Sequence, residues 1–176
     1  MKKGEIYEGV IEKVDFPNKG YVCIDDQKVL IKNGIPGQKV RFMIQKKRSG
    51  RAQGRILEVL EKSPFETRDA VCNNFPACGG CMYQTMSYEN QLVMKETQIR
   101  ELLEEALVRG GQVDKNGQAD FDWEGIHGSP IEFGYRNKME FSFGDEYKDG
   151  PLSLGLHKKG STYDILNTDD CKLVHK

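Results

Sequence analysis

The sequence predicts a mainly β, α+β chain in two modules. Residues 1–62 form a small five-stranded barrel, and residues 63–176 form an α+β domain with one long helix and an antiparallel sheet. Three observations carry this. The first sixty residues alternate apolar and polar positions in short runs broken by Gly, Asn, Asp and Pro. Residues 88–109 hold an apolar stripe at helical spacing between a Ser and a Gly-Gly pair. Three further alternating runs lie between residues 139 and 165. Five short strands rich in glycine fit a closed barrel of the oligonucleotide-binding type, because closure removes unpaired sheet edges.

Each element has a local cause. Residues 6–14 read as one long first strand, and Asn18-Lys19-Gly20 as a turn. Residues 21–24 and 28–32 form a hairpin about Asp25-Asp26, and Asn33-Gly34-Ile35-Pro36-Gly37 is a second strong break. Val40, Phe42 and Ile44 then alternate with Arg41, Met43 and Gln45, and a last strand runs over residues 51–60. Cys23, between Val22 and Ile24, reads as core.

Charge separates the two modules. The net charge is −1, but residues 1–62 carry 14 Lys and Arg against 8 Asp and Glu, a net of +6, and residues 63–176 carry 12 against 19, a net of −7. A basic module joined to an acidic body points to a polyanionic partner. Lys46, Lys47, Arg48, Arg51 and Arg55 flank Ser49-Gly50, so one hairpin tip would present five cations suited to backbone phosphates. A solvated surface loop is the plainer reading. Tyr7, Phe16 and Tyr21 lie only nearby, which favours electrostatic positioning over base stacking.

Ser63-Pro64 breaks the last strand and opens the second module. Ser87 is the expected N-cap of the helix, with Leu92, Ile99, Leu102, Leu103, Ala106 and Leu107 as its packing stripe. Glu96 with Arg100 and Glu105 with Arg109 are expected i,i+4 pairs, and Gly110-Gly111 ends the helix. Residues 112–129 read as an acidic loop in which Trp123 is a local packing anchor. Met139, Phe141 and Phe143 share one face, as do Leu152, Leu154 and Leu156. Tyr163 and Ile165 follow, and these strands are expected to cover the helix. His127, His157 and His175 share no ligand spacing.

Four of the five cysteines form a pattern. Cys72, Cys78 and Cys81 make a C-x5-C-x2-C run containing Pro76, Gly79 and Gly80, and Cys171 follows the last predicted strand. Three thiolates plus one delivered from afar supply the four soft ligands of an iron–sulfur cluster or a zinc ion. The long first gap suits a wide four-iron (4Fe-4S) cluster, with zinc as the alternative; disulfides or idle thiols are the remaining readings. A redox C-x-x-C at Cys78 to Cys81 lacks the strand-then-helix context of such sites. The charged start at Met1-Lys2-Lys3 lacks a signal segment, which suits a reducing, cytoplasmic setting, and no apolar stretch approaches a membrane span.

Taken in order, the basic barrel, Ser63-Pro64, Cys72-x5-Cys78-Gly79-Gly80-Cys81, the helix, Tyr135-Arg136-Asn137-Lys138 and the late Cys171 resemble the front part of the bacterial RNA (uracil-5-)-methyltransferases, in the iron–sulfur branch acting on 23S ribosomal RNA. The barrel looks like that family's TRAM domain, with Ile35-Pro36-Gly37-Gln38-Lys39-Val40 matching its proline-glycine turn. The resemblance implies that Cys72, Cys78, Cys81 and Cys171 hold a 4Fe-4S cluster, and that Arg136 and Lys138 join the barrel cations in RNA contact. It also implies a catalytic domain that binds S-adenosylmethionine, adds a cysteine thiolate to C6 of uracil and methylates C5. No glycine-rich strand-to-helix loop of that kind occurs in these residues. By itself the chain is therefore expected to be catalytically silent, a monomeric fragment or truncated product whose partner is ribosomal RNA. A stand-alone RNA-binding adaptor with a structural metal site is the alternative, and a small electron carrier a weaker third.

Overall fold

The computed structural model describes residues 1–48 and 50–175, and its contacts separate two compact units. Met1–Thr67 and Ser87–His127 make up the first, and Arg68–Met86 and Gly128–Lys176 the second. A single cut at 62/63 does not describe this division. The helix groups with the N-terminal strands, and the cysteine run groups with the distal sheet.

The first unit holds six strands: β1 (Ile6–Val10), β2 (Lys13–Asp15), β3 (Lys19–Ile24), β4 (Gln27–Lys32), β5 (Lys39–Arg48) and β6 (Arg51–Glu61). They form one sheet in the order β1-β5-β6-β4-β3-β2, with β4 and β6 parallel and the other pairs antiparallel. The count differs from the predicted five because the long first strand bends and changes partner. β1 pairs with β5 as far as Val10↔Lys39. The Ile11 amide then donates to the Gln38 carbonyl at 2.9 Å, and the Glu12 amide to the Tyr21 carbonyl at 3.0 Å. The chain thus crosses from β5 to β3 within two residues, and β1 and β2 stand at the two ends of the sheet order. Lys19 and Gly20, expected in a turn, begin β3. Asp25 and Asp26 have φ of 47° and 61°, the two left-handed residues that a two-residue hairpin turn requires.

Alternation buries one side of this sheet. Ile11, Val14, Val22, Val29, Ile31, Val40, Phe42, Ile44 and Ala52 form a continuous core. Gly54 permits its closest approach: a Cβ there would stand 2.7 Å from both Ile31 Cδ1 and Phe42 Cδ2. Beyond the core, Ser63 is buried and donates through its hydroxyl to the Pro36 carbonyl, while Glu66 accepts from the Ser63 amide at 2.8 Å and from Gln38 Nε2 at 2.9 Å. The Ser63-Pro64 segment is therefore tied into the unit.

Helix α1 (Tyr88–Arg109) starts at Ser87, whose hydroxyl accepts the Asn90 amide at 3.2 Å, and gives way to Gly110 and a left-handed Gly111. Its one buried residue is polar. Gln98 Nε2 donates to the Val14 carbonyl at 2.7 Å, and Lys13 bridges Asp15 at 3.2 Å and Glu101 at 2.8 Å. Much of the expected apolar stripe stays in solvent: Leu102, Leu103 and Ala106 are exposed, while Leu92, Ile99 and Leu107 are half-buried. Glu105 pairs with Arg109 at 3.0 Å as expected, but Arg100 pairs with Glu104, not Glu96. Glu96 instead accepts the Trp123 indole N–H at 2.5 Å, which makes Trp123 a local anchor.

The second unit contains β7 (Ser142–Asp145), β8 (Leu152–His157) and β9 (Ile165–Asn167), antiparallel in the order β7-β8-β9. In β7 and β8 the alternation is as predicted but the buried positions lie opposite the predicted apolar face, while in β9 Ile165 is buried as expected. Ser153, Gly155, Ile165 and Leu166 are buried, whereas Phe141, Phe143, Leu152 and Leu154 are exposed. Gly155 allows β9 to close on β8, since a Cβ there would overlap the Leu166 carbonyl.

Phe42 and Phe143 test this assignment. Phe42→Ala should destabilise the first unit by about 3–5 kcal/mol in urea unfolding. Phe143→Ala, at a side chain 72% exposed, should change stability by no more than about 0.5 kcal/mol; an equal loss at both positions contradicts the reading of the distal sheet.

Candidate metal centre and nucleic-acid interface

The cysteine loop is shaped by its own backbone. The Phe75 amide donates to the Cys72 carbonyl at 3.1 Å, the Cys78 amide to the Asn74 carbonyl at 2.8 Å, and the Gly80 amide to Cys78 Sγ at 3.4 Å. β8 then meets this loop edge to edge. The Gly79 amide donates to the His157 carbonyl at 3.0 Å, and the Lys159 amide to the Ala77 carbonyl at 2.7 Å, flanking a bridge between Cys78 and Lys158. At the far end of β9, the Asn74 amide group donates to the Asn167 carbonyl at 2.9 Å and to Thr168 Oγ1 at 3.3 Å. These bonds hold the segment that leads into Cys171 against the loop carrying the first three cysteines.

All four cysteines line one cleft that is partly open to solvent. Phe75, Leu156 and Leu173 supply apolar wall, and Asn74, Gln84, Thr168 and Lys172 the polar rim. Every cysteine is a free thiol, so no disulfide competes for them. Among the described residues no three Cys, His, Asp or Glu side chains stand at the spacing of a single metal ion. Zinc–thiolate bonds of about 2.3 Å would draw four sulfurs to within roughly 4 Å of one another. The donor set is soft and all-sulfur, which suits an iron–sulfur cluster or a zinc ion.

Two residues absent from the predicted site reach it. Gln84 is buried; its Oε1 accepts the Cys72 amide at 3.1 Å, and its backbone carbonyl accepts Arg68 Nε at 2.9 Å. Arg68 is itself paired with Glu132. Burial pushes the Cys81 thiol above its ordinary pKa, and a hydrogen bond from Gln84 works against that rise. Lys159 is half-buried, with its ammonium 5.6 Å from the Phe75 ring centre. Nothing in the sequence separates Gln84 from the other glutamines; Lys159 stands out only as part of a basic turn.

The five hairpin cations behave differently from their neighbours on the same strand. Lys39 pairs with Glu61 at 2.8 Å, and Arg41 with Glu8 at 2.9 Å and Glu58 at 2.6 Å. Further along, Lys46, Lys47, Arg48, Arg51 and Arg55 are all exposed, and among the described residues no carboxylate pairs with any of them. Lys47 donates only to the Met1 carbonyl, at 3.2 Å. Arg48 stands directly opposite Arg51 in the ladder, a like-charge pair that costs stability unless an anion lies over it. Ser49 lies outside the described residues. In the second unit Arg136 is exposed beside Tyr135, with its backbone paired to Leu173 and His175, while Lys138 pairs with Glu140 at 3.2 Å. Cys23 is not core. It is exposed and hydrogen-bonds Glu12 at 3.5 Å, because its inward-facing neighbour is Val22. No helix is long and apolar enough to cross a membrane, among the described residues.

No protein-family model matches the chain. Over 174 residues, 99% of its length, it is 44% identical to a Clostridium tetani protein named an uncharacterized RNA methyltransferase, and equally to one from Caldanaerobacter subterraneus. Both of these relatives are RNA methyltransferases by name. The chain spans only 36% of each of these relatives. Its fold matches that of the Pyrococcus abyssi tRNA (uracil-54, C5)-methyltransferase, solved with S-adenosyl-L-homocysteine, at a TM-score of 0.57 and 21% identity. That match covers 96% of this chain and 33% of the other.

Burial beside the cysteine run also raises the Tyr83 phenol to about 12. An unfolded tyrosine ionises near 10. Between those values the folded state holds the extra proton, so this contribution to stability is full below about pH 10 and fades as pH rises toward 12. In an alkaline titration followed by phenolate absorbance, Tyr83→Phe should remove the latest step; loss of a step near pH 10 instead would contradict the burial.

Proposed function

We propose that this chain is the RNA-contacting, cluster-bearing part of an S-adenosylmethionine-dependent RNA (uracil-5-)-methyltransferase that makes 5-methyluridine in 23S ribosomal RNA. The observation that carries the reading is 44% identity over 99% of the chain to proteins named RNA methyltransferases. The first unit acts as the TRAM-type barrel, with β1 and β2 the edges that closure would join. Its unpaired cations Lys46, Lys47, Arg48, Arg51 and Arg55 take backbone phosphates, and exposed Arg136 adds a contact from the second unit. Lys138, held by Glu140, contributes only if that exposed pair opens. The substrate is a folded RNA offering an unpaired uridine, since splayed bases are what RNA readers reach.

Cys72, Cys78, Cys81 and Cys171 hold a 4Fe-4S cluster in this reading. The all-sulfur donor set around one cleft supports a thiolate-held group, and the long gap between Cys72 and Cys78 favours a wide cluster over zinc. When bound, the cluster supplies four metal–thiolate links that fasten the cysteine loop to the segment after β9; methyl transfer to uracil asks no electron of it. Gln84 orients the Cys72 and Cys81 ends of the loop. The chemistry itself, with S-adenosylmethionine, belongs to protein beyond these residues. The protein works as a monomer in the cytoplasm.

Two measurements test this. Protein purified without oxygen should be brown and contain iron and inorganic sulfide in near-equal amounts; zinc without iron refutes the cluster. Replacing Lys46, Lys47 and Arg48 together by Glu should weaken binding to a uridine-bearing 23S RNA hairpin at least tenfold. The slope of log affinity against log salt should become shallower by about 2, at about 0.7 per single-strand phosphate contact. Unchanged affinity and slope remove the hairpin from the interface.

A further inference from the structure

The turn after β8 carries a cation that the RNA reading does not use. Lys158 and Lys159 are fixed by backbone bonds: the Lys158 amide to the Asp164 carbonyl at 2.9 Å, the Lys159 amide to the Ala77 carbonyl at 2.7 Å, and the Ser161 amide back to the Lys158 carbonyl at 3.0 Å. That geometry holds the Lys159 side chain half-buried, its ammonium 5.6 Å from the ring centre of Phe75, which lines the cleft with Cys78 and Cys81. Its amide is bonded to Ala77, the residue before Cys78, and among the described residues no carboxylate pairs with its ammonium. Two other lysines of this unit do have carboxylates: Lys138 has Glu140, and Lys172 has Asp170.

A cation drawn out of water without a counter-charge is costly. Neutral thiols do not offset that cost. Metal-bound thiolates do, and four of them around a cluster leave the centre net negative. We propose that Lys159 is the charge-compensating residue of the thiolate-held centre, a positioning residue whose ammonium offsets the Cys78 and Cys81 sulfurs and raises the reduction potential of the group they hold. The inference rests on the cluster reading and adds to it a residue outside the ligand set, acting through net charge, one of the factors that set cluster potentials.

The test compares Lys159→Met, which keeps a stem of similar length without charge, with Lys159→Arg, which keeps the charge. Each full chain is purified without oxygen, its iron and sulfide are measured, and its midpoint potential is read by mediated titration of the visible band and of the reduced cluster's electron paramagnetic resonance. The Met variant should shift the reduction equilibrium at least tenfold toward the oxidised form, about 59 mV downward for a one-electron couple. The Arg variant should stay within about threefold of wild type, a bound set by the same conversion. Wild-type cluster content with an unchanged potential in the Met variant overturns the proposal. Where the Met variant assembles little cluster, recovery of content by Arg supports a role for charge, and equal failure of Arg overturns it in favour of packing. A wild-type chain without iron and sulfide is a different result, which sinks the cluster reading and this proposal with it.

Discussion

The edge-to-edge meeting of β8 with the cysteine loop is the constraint on which the second unit depends. Two backbone bonds, Gly79 to His157 and Lys159 to Ala77, set the loop against the strand. The Asn74 side chain repeats the connection at the end of β9. Between them these contacts bring Cys171 to the cleft lined by three cysteines ninety or more residues earlier in the chain. The same meeting sets Lys159 over Phe75, which lines the cleft. The site is therefore built by sheet hydrogen bonding in the protein itself, and a bound cluster would lock an arrangement the backbone already favours.

The first unit is organised by where its cations find partners. On β5 the glutamates of β1 and β6 neutralise Lys39 and Arg41 near one end, while the hairpin end is left with unpaired positive charge. A sheet that tolerates Arg48 opposite Arg51 gives up local stability there. Such a cost is understandable where a polyanion supplies the missing negative charge, and the salt dependence of binding follows from the same layout.

Much of this was legible in the sequence, for identifiable reasons. The helix limits at Ser87 and Gly110 follow from capping chemistry, the Asp25-Asp26 turn from the tolerance of Asp for left-handed backbone, and the buried face of β5 from strict alternation at Val40, Phe42 and Ile44. What failed shares a cause. Alternation says which side chains lie on one face, not which face is covered. Phe141, Phe143, Leu152 and Leu154 do share a face, yet in β8 Ser153 and Gly155 are the buried positions. Cys23 followed its apolar neighbours in the reading and its own outward parity in the fold. The helix stripe misled because α1 is held by an amide and an ion pair, Gln98 to Val14 and Lys13 to Glu101. Gln84 left no trace in the sequence, because its role depends on burial.

Iron-edge anomalous scattering from crystals grown without oxygen tests the central claim most directly. The account predicts one compact cluster of iron atoms bounded by the sulfurs of Cys72, Cys78, Cys81 and Cys171. A centre completed by some other ligand, with the Cys171 side chain turned away from the cleft, would contradict it.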